Sequence, residues 1–343
     1  MKLKKRIFIL PSLIIMIVAI MFFSFVKKIE NFANQKINLN LNQEMIFTVP
    51  AGTGRAGLGI LLVQHNLIKD HQLLSWLFRL KPELAKFKAG TYRLQQGMSL
   101  RAILQLFSSG KEVQFSIRFV EGSRLSDWEK ILQNAPYLKH EAEGKSPKEL
   151  TDALDMKAEE PLEGWLYPDT YLYTAGTSDI ELLKRAHQKM NMALEQEWKN
   201  REKNLPYKSV YEMLIMASII EKETAIDSER TKVASVFINR LRLKMRLQTD
   251  PTVIYGLGDK YTGSIFRSNL TAFTPYNTYM IEGLPPTPIA MPSLASIKAA
   301  AHPAVTGYLY FVANGNGGHT FTANLAEHNR AVNLYRQRLK QDK

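Results

Sequence analysis

Residues 207–224 read YKSVYEMLIMASIIEKET, and this stretch sets the core of the fold. Val210, Met213, Leu214, Ile215, Met216, Ala217, Ile219 and Ile220 cover nearly every direction around a helix of about 3.6 residues per turn, so the segment is predicted to be a helix buried on all sides. It ends in Glu221-Lys222-Glu223, two acids at the margin of an apolar core. At about 100° per residue their side chains point about 200° apart, so they do not share a face. Glu221 continues the stripe of Val210, Leu214 and Ala217, and Glu223 the row of Met216 and Ile219. A carboxyl against apolar walls has its charged form disfavoured, which raises its pKa and fits it to donate a proton near neutral pH. A helix end emerging into water with ordinary acids is the alternative.

Outward from this helix, residues 180–198 have amphipathic spacing through Leu182, Leu183, Ala186, Met190, Ala193 and Leu194. Residues 308–312 and 320–322 read as a hairpin around the Gly-rich ANGNGGHT, followed by a closing helix over 325–340. Upstream, VQFSIRFV (113–120) alternates as a half-buried strand, and Ser126 with Glu129 reads as a capping box opening a helix to Leu132. Residues 140–160, rich in Glu, Lys and Asp, read as a solvated excursion.

A smaller unit precedes these elements: a strand from Met45, helices over 54–67 and 72–80, a strand over 90–94, and a short helix for which Ser99 is the candidate N-cap. Residues 29–43 (IENFANQKINLNLNQ) carry too little apolar surface to bury and read as part of a stalk.

Residues 7–26 contain no charged residue, Gly or amide, a length that spans a bilayer at about 1.5 Å per residue. A cleaved signal peptide would have a shorter apolar region and a small-x-small site, and none follows before Lys27. Lys2, Lys4, Lys5 and Arg6 before the span, against Lys27 and Lys28 after it, favour a cytoplasmic N-terminus. The expected organisation is a cytoplasmic tail (1–6), a transmembrane helix (7–26), a stalk (27–43), a small lobe (44–112) and a larger lobe (113–343). The fold class is α+β.

Net charge is +13 and falls to +7 once the six Lys/Arg of the first 28 residues are set aside. The remaining excess is scattered among acids with no groove-binding or base-stacking motif, so a nucleic-acid partner is not expected. With no cysteine, thiol catalysis, Cys-ligated zinc and disulfides are excluded. His319, Glu327 and His328 lack HExxH spacing, and neither a Gly-x-Ser-x-Gly elbow nor a phosphate loop occurs. No metal or cofactor is expected.

The stretch MASIIEKETAIDSERTKVASVFINRL, with RLQTDPTVIYGLG, PYNTY, GLPPTPIAMPSLASIKAAAHP and YLYFVANGNGGHTF, resembles the endolytic murein transglycosylases of the MltG/YceG family over almost the whole chain. FTVPAGTG and KAGTYRL in the small lobe resemble a LysM-like carbohydrate-binding module, with a generic spacer as the alternative. The resemblance implies a lyase of the bacterial inner membrane, its catalytic part periplasmic. Its expected reaction cuts the β-1,4 bond between N-acetylmuramic acid and N-acetylglucosamine inside nascent glycan strands, leaving 1,6-anhydro ends, with membrane-bound peptidoglycan synthases as possible partners. It also selects Glu223, the second Glu of EKET, as catalytic acid, with Glu221 as a supporting neighbour. Gln248, Thr249 and Asp250, before Pro251, are expected in an extended or turn segment that can face a cleft, with Asx-turn capping as the alternative. Glu163, Trp165, Tyr167 and Asp169 of EGWLYPDTY are candidates for holding pyranose rings, as are Tyr276, Asn277 and Tyr279 for acetamido groups and His319 for another substrate contact. Two rival readings are a muramidase that activates water with a second carboxylate, and a wall-binding scaffold without activity.

Overall fold

The computed structural model describes residues 3–37, 44–156 and 160–341. The chain divides into two compact units, Met1–Phe115 and Ser116–Lys343.

The first unit begins with α1 (Leu3–Asn34), followed by β1 (Met45–Val49), α2 (Arg55–Gln64), α3 (Gln72–Leu80), β2 (Gly90–Leu94) and α4 (Leu100–Ser109). β1 and β2 pair antiparallel, Met45 opposite Leu94 and Val49 opposite Gly90. Their alternation puts Phe47, Val49, Tyr92 and Leu94 into a core shared with Leu58, Leu62, Leu77, Leu104 and Phe107. Ser99 caps α4 by accepting from the Ala102 N–H at 3.2 Å, and Gly110, at φ 68°, ends it in the left-handed conformation that glycine adopts without strain.

From Ser12 to Asn34, α1 is long and apolar enough to cross a membrane, with a mean hydropathy of 2.2. Large side chains between Leu13 and Phe23 stand exposed, Ile15 at 68% and Phe23 at 72%. Those surfaces are costly in water and stable in hydrocarbon. The stalk expected from residue 27 departs from the structure: 27–34 are the last turns of α1. Ile29 and Ala33 are completely buried in the small core, Phe25 meets Trp76 edge-on at 5.4 Å, and Glu30 pairs with Arg101. Ile29, Phe32 and Ala33 lie on one face of α1 and Ile37 follows into the same core, a spacing that a count of apolar residues passes over. The stalk residues 38–43 lie outside the described residues.

The second unit consists of β3 (Phe115–Arg118, entering from the boundary), α5 (Leu125–Gln133), α6 (Pro147–Ala153), β4 (Thr170–Tyr173), α7 (Asp179–Asn200), α8 (Val210–Glu223), α9 (Asp227–Arg242), α10 (Asp250–Leu257), α11 (Arg267–Thr271), α12 (Leu294–Ala301), β5 (Tyr310–Ala313), β6 (His319–Thr322) and α13 (Leu325–Gln341). β3 pairs with β4, and β5 with β6 antiparallel. The central helix is α8: Met213 to Ile220 are all buried, between α12, α9, α7 and α10. The Ala-rich face of α12 permits this close packing, and the buried Ser218 hydroxyl accepts from the Ile289 N–H at 3.0 Å.

Two local expectations are corrected. The helix expected to start at Ser126 starts one residue earlier, because Asp127 rather than Glu129 reaches back, to the Arg124 N–H at 3.0 Å. Within 140–160, α6 is capped by a Ser146–Glu149 box and buries Thr151 and Leu154, so part of that charged stretch is packed structure.

Candidate active site

α8 stops at Glu223 because Thr224 takes an extended conformation and its hydroxyl turns to accept from the Ile226 N–H at 3.1 Å, which starts α9. The last carboxylate of the core helix therefore stands at a helix–helix corner, where it borders two adjoining clefts. The larger, about 760 Å³, is walled by 118–122 and 168–170 from the β3–β4 ribbon, by 221–225 and by Arg230. Gly122, at φ +73°, makes the turn in that wall. The smaller, about 170 Å³, is formed by Glu223, Phe237, Arg240, Leu247, Gln248, Thr249, Asp250, Tyr279 and Phe311.

Glu223 is half-buried, and protein crowds its carboxyl on most sides. That desolvation pushes its pKa up to about 7. The Thr249 hydroxyl, which donates to Oε1, opposes the shift, the Asp250 charge adds to it, and His319 and Arg240 pull it down. Thr249 is held in place by its neighbours: its N–H donates to Thr278 Oγ1 at 3.0 Å, and its carbonyl accepts from Thr252 Oγ1 at 2.7 Å. Asp250, the first residue of α10, accepts from the Tyr279 hydroxyl at 2.7 Å. Gln248, just before Thr249 and Asp250 in the chain, lines the same cleft at φ 49°.

Glu221 borders the larger cleft, but its carboxylate is committed elsewhere. Oε2 accepts from the Ser293 N–H (3.0 Å), the Ser293 hydroxyl (2.5 Å) and the Ser296 hydroxyl (2.7 Å) at the N-terminus of α12. The opposed directions of the two acids thus separate a helix-capping carboxylate from one that faces open space.

The structure brings Glu223, Gln248, Thr249, Asp250 and Tyr279 together around the small cleft, and Asp169 to the wall of the large one, paired with Lys189. That pairing holds the Asp169 pKa below the usual carboxylate range. The other candidates lie outside both linings. Buried Glu163 accepts from the Leu125 N–H at 3.1 Å and from the Tyr255 hydroxyl at 3.2 Å, and burial raises its pKa to about 7. Trp165 stacks parallel to Tyr211 at 6.0 Å beside a separate pocket, and Tyr167 lies under the Lys189 ammonium. Tyr276 bonds Thr287 at 2.9 Å. The Asn277 amide, 1% exposed, donates to the carbonyls of Asn269, Leu270 and Ala272, so it ties a loop instead of meeting solvent. His319 bonds Glu229 at 2.7 Å, meets Phe311 of the small cleft edge-on at 5.3 Å, and reaches Glu223 electrostatically.

Sequence reasoning passed over Arg230 and Arg240. Arg240 donates to the carbonyls of Leu309 (2.7 Å) and Leu247 (2.8 Å), fastening β5 and the 247–250 segment to α9. An arginine on the buried side of VASVFINRL is the signal that marks it.

The family model described as the YceG-like family matches residues 47–334. An endolytic murein transglycosylase of Bacillus subtilis (strain 168) is 34% identical over 318 residues, 88% of this chain and 86% of that protein. A protein of the same name from Streptococcus pneumoniae (strain D39) is 28% identical over 330 residues, 86% of this chain and 59% of the longer relative. Among solved structures, a yceG-like protein from Listeria monocytogenes is 30% identical with a TM-score of 0.53, covering 84% of this chain and 99% of that one. Taken with an acid at the end of a core helix between two clefts, these matches establish that the chain belongs to the YceG-like family.

Proposed function

We propose that this protein is an endolytic peptidoglycan lytic transglycosylase in which Glu223 serves as acid and then as base. The observation that carries the reading is a single carboxyl, with a pKa raised to about 7, open to two adjoining clefts and held by Thr249. Protonated Glu223 gives its proton to the glycosidic oxygen as the bond from the muramyl anomeric carbon breaks. The resulting carboxylate takes the proton of the muramyl 6-hydroxyl as that oxygen bonds the same carbon, closing the 1,6-anhydro ring and restoring the acid. No water enters, so no second carboxylate is needed, unlike a two-carboxylate hydrolase. Of the nearby acids, Glu221 is engaged by α12, Asp250 by Tyr279 and Asp169 by Lys189.

Digestion of purified sacculi by wild type and Glu223→Gln, with mass analysis of the ends, tests this. Anhydro ends from wild type alone are expected. Reducing ends would make the enzyme a muramidase, and equal binding with no fragments from either form would make it a scaffold.

The exposed apolar length of α1 supports anchorage in the cytoplasmic membrane, and the basic N-terminus supports a periplasmic enzyme. There the site meets nascent strands near the synthases that make them. The order strand–helix–helix–strand in the first unit supports a LysM-like glycan-binding role for that unit.

A further inference from the structure

Arg230 has no part in the chemistry above, yet it lies in the wall of the larger cleft with Glu223. It is 7% exposed, and its Nε is sealed from water with no hydrogen-bond partner among the described residues. Its guanidinium has one ion-pair contact, to Asp227 three residues earlier, whose side chain is 90% exposed. A buried guanidinium ordinarily fills its donor fork, and one left partly empty is destabilising. A carboxylate standing in water screens weakly and is readily exchanged for another anion. Of the carboxylates in the cleft lining, Asp169 is occupied by Lys189, Glu221 by Ser293 and Ser296, and Glu223 by Thr249, which leaves the exposed Glu121 at the rim. Of the two other cations in the lining, Lys222 donates to the Gly122 carbonyl at 2.9 Å and Arg118 stands exposed to water, so Arg230 alone presents a desolvated guanidinium. Asp250 and Arg240, which act on Glu223, border the smaller cleft, so Arg230 stands apart from the proton-transfer group.

We infer that Arg230 is the anion-binding residue of the larger cleft and takes a substrate carboxylate there in a charge-assisted, forked contact, displacing Asp227. The inference rests on the glycan-cleaving reading. A glycan strand offers such a carboxylate from two sources: the stem peptide, or the muramyl lactyl group once the peptide is gone. Either way the group lies beside the ring whose anomeric carbon reacts. Held by Arg230, it sets the register of the strand so that a muramyl residue, not a glucosaminyl one, meets Glu223.

The test uses the full-length protein in detergent, with strands bearing stem peptides and strands stripped of them, each with carboxylates free or converted to methylamides. Wild type is expected to lose affinity about tenfold or more on neutralised strands, read as a rise in KM with kcat little changed. A loss on peptide-bearing strands assigns the stem carboxylate, and a loss on stripped strands assigns the lactyl one. Arg230→Gln should raise KM on the free-carboxylate strands to the level of the neutralised ones, and Arg230→Lys should recover part of the difference. If wild type does not distinguish free from neutralised strands of either kind, the inference fails, whatever the stability of the variants. If wild type cleaves no strand, the activity reading fails instead. Strand binding measured by fluorescence polarisation with the same four substrates then decides the Arg230 inference alone.

Discussion

The Thr249 hydroxyl donates to the carboxyl of Glu223 across 26 positions of sequence, linking the segment before α10 to the last residue of α8. The bond favours the charged form of Glu223 and fixes its direction. Thr249→Val removes it, so the Glu223 pKa should rise further while kcat falls by about tenfold. The alkaline limb of the pH–rate profile measured on purified strands should move to higher pH. A fall in kcat without that movement would reduce Thr249 to a packing residue.

The raised pKa of Glu223 gives the rate a defined pH dependence. As the required acid, it should make kcat/KM fall once pH rises through about 7. Folding stability carries the same signature. Glu223 and Glu163 have pKa values of about 7 in the fold against 4.5 ordinarily, so between those limits the native state holds protons that the unfolded chain has lost. The contribution of these two carboxyls to stability should therefore be full below pH 4.5, decline as pH rises towards 7, and level off above. Urea melts across that range should show a shallower decline for Glu223→Gln than for wild type, by up to about 3 kcal/mol. Parallel curves would contradict the assignment.

Glu221 and Glu223 should separate cleanly by mutation. Glu221→Ala leaves the α12 N-terminus and two serine hydroxyls without their acceptor, a loss of about 2–3 kcal/mol visible as a lower Tm. The folded variant should still form anhydro ends. If its products carry reducing ends, or if it is inactive at unchanged Tm, Glu221 has a chemical role.

Gly164 joins Glu163 to Trp165 at φ +85°, and a Cβ there would lie 2.4 Å from the Pro288 Cβ. Gly164→Ala should cost about 2 kcal/mol or more from backbone strain and overlap together. Thermal melting compared with the open site Gly144→Ala, also at positive φ, isolates the overlap.

Deletion through Phe23 should free the protein from membranes, as read by carbonate extraction, with the first unit still folded. Deletion through Asn34 should unfold that unit, because Ile29 and Ala33 leave its core. Equal protease resistance of the two truncations would show that α1 is dispensable to the fold.

Much of this protein was legible in residue order alone. The run from Met213 to Ile220, apolar on every side at helical periodicity apart from Ser218, identifies the core helix, strand-like stretches mark β1 and β2, and the apolar N-terminus marks a helix long enough to cross a bilayer. The same periodicity set Glu221 and Glu223 on opposite faces, because direction around a helix is a local property. Which face meets α12 and which meets open cleft is a long-range matter, decided 72 positions away at Ser293. The neighbouring motifs show the same limit. EGWLYPDTY and PYNTY have the chemistry of sugar binding, but packing sends Trp165 to another pocket and Asn277 into a loop latch, while Thr249 and Tyr279 reach the site. Arg230 sits in ordinary helical sequence and only its burial distinguishes it, whereas Arg240 interrupts the apolar side of its helix, a mark visible in residue order. Sequence thus determined the elements and the type of acid at the end of α8. The tertiary structure decided which polar groups surround that acid, because desolvation and hydrogen bonding depend on neighbours far away in the chain.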